Sequence, residues 1–132
     1  MTRRYRFSAA HRLDNPALSA EQNRAVYGKC NNAYGHGHDY AFEISVAGEV
    51  DASTGRLLPP GVLDAIVRGE VLSCLDASNL NDLPDFAGAP PTTENLAGAI
   101  ERRLAAKWPG TWPRVCRIRI EETRRNHFEL RR

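Results

Sequence analysis

The stretch "HGHDYAFEISV", residues 36–46, decides how this chain is read. His36, His38, Tyr40, Phe42, Ile44 and Val46 share one parity, and Asp39 and Glu43 share the other. A period of two is the signature of a half-buried strand. The two histidines fall on its apolar side, about 7 Å apart along the strand at ~3.4 Å per residue.

Working back from this strand, "TRRYRFSAAHRL" (residues 2–13) alternates in the same way. Tyr5, Phe7, Ala9, His11 and Leu13 share one parity; Arg4, Arg6, Ser8 and Arg12 share the other. If these two strands pair, His11 joins His36 and His38 on the covered side of one sheet. Residues 14–35 between them hold Pro16, Gly28 and Gly35 with little periodicity, which predicts a long loop with one short helical turn around Ser19 to Arg24. A loop of that length in a compact domain is usually functional. It carries Cys30, six residues before His36.

Working forward, "DASTGRLLPPG" is turn material. Val62, Leu63, Ile66, Val67, Val71 and Leu75 then recur near helical spacing. "NLNDLPDFAGAPP" is a second loop. "TTENLAGAIERRLAAKW" predicts a helix: Thr92 or Thr93 caps it, Glu94 complements its first turn, and Leu96, Ala99, Ile100 and Leu104 form its stripe. "RVCRIRIEET" reads as a third strand and "HFELR" as a shorter fourth. The order ββααββ predicts an α+β architecture, a four-stranded antiparallel sheet with two helices on one face.

The bulk numbers suit that size. The 132 residues form one domain, residues 1–132, with 42% hydrophobic and 26% charged residues. A net charge of +2 with interleaved signs leaves no footprint for nucleic acid. No apolar run approaches the ~20 residues of a membrane span, and no apolar segment follows Arg3 and Arg4 as a signal peptide requires. A cytoplasmic location is expected. Three widely spaced cysteines, Cys30, Cys74 and Cys116, argue against a disulfide framework; Cys74 and Cys116 fall in helix and strand patterns and are assigned to packing.

Three neutral imidazoles meeting at a sheltered point make a zinc site with one coordination position open, the arrangement of catalysis more often than of structure. His11, His36 and His38 are the expected ligands. His127 has no partner by spacing. In the third strand Glu122 shares the parity of Ile118 and Ile120, so a carboxylate closes an apolar face. Burying it requires a partner, either an arginine or a ligand with paired N–H donors.

Taken together, "FSAAHRL", "YGKCNN" followed by "GHGHDY", "NLND", "PTTENLA" and the "ET" closing the third strand resemble the 6-pyruvoyl-tetrahydropterin synthase and 6-carboxy-tetrahydropterin synthase family. The resemblance covers nearly the whole chain, in order. It implies the tunnelling fold, subunits joined into trimers, and two trimers stacked as a homo-hexamer with active sites between subunits. It implies Zn2+ on His11, His36 and His38, Cys30 as the proton-abstracting thiol, and Asp76 as part of a proton relay. Glu122 would hold the pterin ring, with Thr92 and Thr93 lining its pocket. The implied reaction converts 7,8-dihydroneopterin triphosphate to 6-pyruvoyl-tetrahydropterin with loss of triphosphate. The five residues between Cys30 and His36 resemble the pyruvoyl-forming branch; the carboxy-forming branch typically has three.

One position departs from the family. Where relatives read Leu-Asp-His, this chain reads "LDASNLND", so Ala77 stands in the place of the relay histidine. General acid–base help is worth ~10²–10⁴ in rate. The departure leaves three outcomes: zinc and Cys30 run the same lyase reaction, slowly or by way of water; another residue substitutes, His127 being the only spare imidazole; or the protein performs a shorter reaction, such as side-chain cleavage or isomerisation of a dihydropterin. The competing class is a pterin-binding homologue without catalysis. Arg12, Arg24 and Lys29 are candidates for phosphate contacts by proximity.

Overall fold

A computed structural model describes residues 1–132. Strand β1 (Thr2–His11) pairs antiparallel with β2 (His36–Ala47), β2 with β4 (Arg114–Thr123), and β4 with β5 (Asn126–Arg131). These are the four strands expected from the alternation. The expected four-stranded sheet needs one correction: a two-residue strand β3 (Ser78–Asn79) adds to the free edge of β1, in parallel, so the sheet has five strands in the order β3-β1-β2-β4-β5. Two residues leave no periodicity to read, so only the tertiary fold reveals this strand.

The β1–β2 register places Tyr5 opposite Phe42, Phe7 opposite Tyr40, Ala9 opposite His38 and His11 opposite His36. Side chains on one face therefore form an aromatic ladder that ends in histidines. Phe7 stacks on Tyr40 with ring centroids 4.9 Å apart, and Tyr5 lies 5.3 Å from Phe42. Such cross-strand pairs fix the register, because a one-residue slip would turn every one of these side chains to the opposite face.

Two helical segments cover that face. The first begins with α2 (Pro60–Val67), with Pro60 in its first turn, passes through a π turn (Arg68–Leu72) and ends in α3 (Ser73–Leu75). Its buried residues Leu63, Val67, Val71 and Leu75 are each four apart and fully enclosed. In a regular α-helix a spacing of four over-rotates by ~40° at each step. The wider π turn rotates back, which keeps all four over the sheet. The second, α4 (Thr93–Ala105), is capped by Thr92, whose hydroxyl accepts from the Asn95 amide at 3.3 Å. It buries Leu96, Ala97, Ile100 and Leu104 against Ile44, Ile118 and Ile120 in one core cluster.

The long β1–β2 connection is more ordered than its composition suggests. It contains α1 (Ala20–Tyr27), opened by a reciprocal capping box between Ser19 and Gln22. The short helical turn expected at Ser19 to Arg24 is thus an eight-residue helix. The buried Asn23 amide accepts from Asn15 N at 2.8 Å and donates to Asn15 O at 2.9 Å, folding the entry of the loop onto the helix. A 3-10 turn (Gly28–Asn31) then carries the chain past the end of β1. No helix is long and apolar enough to cross a membrane.

Candidate metal centre and its surroundings

The aromatic ladder of β1 and β2 ends where three imidazoles converge. His36 Nε2 lies 3.1 Å from His11 Nε2 and 2.9 Å from His38 Nε2. His11 is fully enclosed, and His38 is partly buried. Gly35 makes the entry into β2 possible: its φ is +69°, and a Cβ there would stand 2.9 Å from the His11 carbonyl oxygen.

The tautomer of His11 follows from its other nitrogen. Nδ1 lies 3.1 Å from the carbonyl oxygen of Pro91, which can only accept, so Nδ1 carries the proton and Nε2 presents a lone pair. A backbone carbonyl holding the far nitrogen of an imidazole is the usual outer support of a metal-binding histidine. Burial pushes the pKa values of His11 and His38 below the ordinary histidine range, in both cases against an opposing pull from Glu122. Neutral imidazoles crowded nitrogen to nitrogen have no proton arrangement that satisfies them all. A cation would. Tetrahedral ligands at ~2.0–2.1 Å from zinc stand ~3.3 Å apart, close to the separations seen here. The donor set therefore fits a transition-metal ion.

Cys30 completes the group. Its sulfur and one nitrogen from each of His11, His36 and His38 all lie within 4.8 Å of one another. All three cysteines are free. Burial raises the Cys30 pKa, and the charge of Glu122 adds to this; a cation in the cluster would act in the opposite sense.

Glu122 sits at the irregularity in β4, where the pairing with β5 shifts between Glu121 and Thr123. Its Oε1 is 3.7 Å from both His11 Nε2 and His38 Nε2. No arginine pairs with it. Tyr40 Oη donates to Oε1 at 3.5 Å, and Asn126 Nδ2 donates to Oε2 at 2.7 Å. Asn126 Nδ2 also lies 3.3 Å from Thr93 Oγ1, so Thr93 joins the carboxylate through one amide. Thr92 serves as the helix cap.

Asp76 lies apart from the cluster. Its Oδ1 accepts from Ser8 N at 3.0 Å, and Ala77 N donates to Ser8 O at 2.7 Å, so the pair extends the ladder along the edge of β1. Ala77 has φ +56°, a left-handed conformation that alanine rarely adopts. It borders a cleft of about 370 Å³ whose other lining residues include Ser8, Ala10, Gly37, His38 and Asp39. His127 is exposed and faces Glu121 across β4 and β5. Lys29 is exposed at the start of the 3-10 turn, while Arg12 pairs with Asp14 at 3.2 Å.

Three contributors escape a sequence reading. Tyr40 shares parity with His36 and His38, which is a usable signal. Asn126 reaches Glu122 through the turn between β4 and β5, and the carbonyl of Pro91 reaches His11 from the segment that precedes α4.

The depressed histidine values carry a consequence for the metal-free protein. Below about pH 6.5 the unfolded chain binds protons that folded His11 and His38 resist, so stability is retained above that pH and falls on acidification. In chelator, the thermal midpoint is expected to drop as pH is lowered from about 7.5 to about 5.5, where few other side chains titrate. A flat profile across this range would contradict the burial of neutral imidazoles.

Comparison with known proteins identifies the family. The family described as 6-pyruvoyl tetrahydropterin synthase matches residues 1–132. A 6-pyruvoyl tetrahydrobiopterin synthase of Poecilia reticulata is 44% identical over 127 residues, 96% of this chain and 85% of the relative. That of Drosophila melanogaster is 42% identical over 134 residues, 99% of this chain and 78% of the relative. The structure of Caenorhabditis elegans 6-pyruvoyl tetrahydropterin synthase superposes with a TM-score of 0.90 at 34% identity, covering 99% of this chain and 93% of that one. This chain belongs to the 6-pyruvoyl tetrahydropterin synthase family.

Proposed function

We propose that the protein is a zinc-dependent lyase that converts 7,8-dihydroneopterin triphosphate to 6-pyruvoyl-tetrahydropterin with loss of triphosphate. The observation that carries this reading is the convergence of His11, His36 and His38 beside a carboxylate, Glu122, that no arginine neutralises. The three imidazoles would hold the zinc, and Glu122 would accept the paired N–H groups of a pterin ring. Thr93 and Asn126 lie next to that carboxylate and would border the ring; Thr92 opens the helix behind them. A bound zinc supplies Lewis acidity to side-chain oxygens and favours ionisation nearby. Cys30, as thiolate, takes a proton from the substrate side chain and returns it, while the leaving triphosphate departs with the electrons of its C–O bond.

The Asp76 carboxylate is held at the edge of β1, accepting from Ser8 N at 3.0 Å, and is not part of the His11, Cys30, His36 and His38 group. We place it in the site of a neighbouring subunit within a homo-hexamer, where the 1–132 domain acts in the cytoplasm. Ala77 beside it favours a second reading, in which a relative with a weakened relay stops at cleavage of a dihydropterin side chain.

Incubating the zinc-loaded protein with 7,8-dihydroneopterin triphosphate separates these. Triphosphate release is expected, abolished by chelator and restored by zinc. Zinc at a hundredfold excess over its Kd should also add about 2.7 kcal/mol of stability, roughly 10 °C in Tm. A shortened pterin together with a released aldehyde would favour the cleavage reading. Tight binding without product would leave a non-catalytic homologue.

A further inference from the structure

Two of the three thiols have ordinary partners. Cys116 Sγ donates to Ser45 O at 3.4 Å, and Cys74 Sγ lies 3.6 Å from Ser73 Oγ. Cys30 Sγ is directed instead into the nitrogen cluster, within 4.8 Å of the ligand atoms of His11, His36 and His38. Its backbone is clamped to the chain just beyond His11. Leu13 N donates to Cys30 O at 2.7 Å, and Asn31 Nδ2 donates to Leu13 O at 2.7 Å and to Asp14 Oδ1 at 3.0 Å. The strand that positions His11 therefore also positions the sulfur. Thiolate and imidazole both suit zinc, and four donors complete a tetrahedron.

We propose that Cys30 Sγ is an exchangeable fourth ligand, which closes the coordination shell of His11, His36 and His38 at rest and is displaced by an oxygen of the incoming pterin side chain. This rests on the reading of the site given above. The exchange is one lone pair for another: the sulfur–metal bond breaks as the oxygen–metal bond forms, and nothing is oxidised or reduced. The thiol proton is lost to solvent when sulfur first binds, so the displaced group is a thiolate. The base is thereby released only when substrate occupies the site, and solvent is kept from the cation before that.

Cobalt(II) in place of zinc in the full chain tests this. The substrate-free protein should show a near-ultraviolet thiolate-to-cobalt charge-transfer band, which dihydroneopterin bleaches on binding. Cys30→Ser should lose the band, keep the visible bands of cobalt on three histidines, and bind cobalt at least roughly tenfold more weakly. A second measurement avoids any variant. Alkylation of Cys30 by iodoacetamide, mapped by peptide mass, should be at least roughly tenfold slower with zinc than without, because a coordinated thiolate is masked; Cys74 and Cys116 serve as internal controls. Cobalt bound with triphosphate release intact, yet no band and no protection of Cys30, would overturn this inference alone. A band that persists with dihydroneopterin bound would overturn the exchange. Failure of cobalt to bind would overturn both this inference and the proposed function.

Discussion

Replacing His38 with alanine should abolish metal binding and lower triphosphate release by at least about 10³-fold, the equivalent of the several kcal/mol that a Lewis acid contributes. His38 is the most informative of the three ligands to remove. Its side chain is 17% exposed, whereas that of His11 is fully enclosed, so water can fill the space it leaves. Removing His11 would also strip the Pro91 carbonyl of its donor, at a cost of about 1–3 kcal/mol in stability, and would mix a folding defect with a catalytic one. The measurement is metal content per chain alongside triphosphate release, with circular dichroism confirming the fold. A His38→Ala protein that retains stoichiometric zinc and its rate would end the proposal that this cluster is the metal centre.

Placing a histidine at position 77, where the proposed relay would need one, should act in the opposite direction. Ala77→His is expected to raise kcat by about 10²-fold or more, within the range for general acid–base help. The substitution suits the backbone. At φ +56° alanine is poorly placed, while histidine is among the residues that tolerate this region better. The cleft of about 370 Å³ bordered by Ala77 leaves room for an imidazole. Stability should therefore be held or slightly raised, so any change in rate can be read as chemistry. The comparison is kcat and KM for triphosphate release in the two proteins. An unchanged kcat in a well-folded Ala77→His protein would mean that proton transfer here no longer passes through this position. It would also strengthen the reading in which the chain performs a shorter cleavage.

The two residues differ in how they can be recognised. His38 shows itself by parity, because it lies two residues from His36 on a strand whose apolar face continues through Tyr40, Phe42 and Ile44. Ala77 shows itself only against the family pattern, since an alanine in a loop carries no chemical signal of its own. Its left-handed backbone and its hydrogen bond to Ser8 become visible only in three dimensions.

What the sequence determined by itself was local and periodic. Alternation in residues 2–13 and 36–46 marked the two central strands and put His11, His36 and His38 on one face; helical spacing marked the stripes that cover that face. These readings hold because a strand or helix that buries one side must repeat its apolar residues at its own period. The tertiary structure alone decided what lies far apart in the chain. It brought Cys30 out of a glycine-containing loop onto the end of β1. It set the Pro91 carbonyl behind His11, and it brought Thr93 to the Asn126 amide that serves Glu122. It also added β3 at the sheet edge, next to the hydrogen bond that Asp76 accepts from Ser8 N. No period links such residues, because their meeting depends on how helices, loops and strand ends pack against the finished sheet.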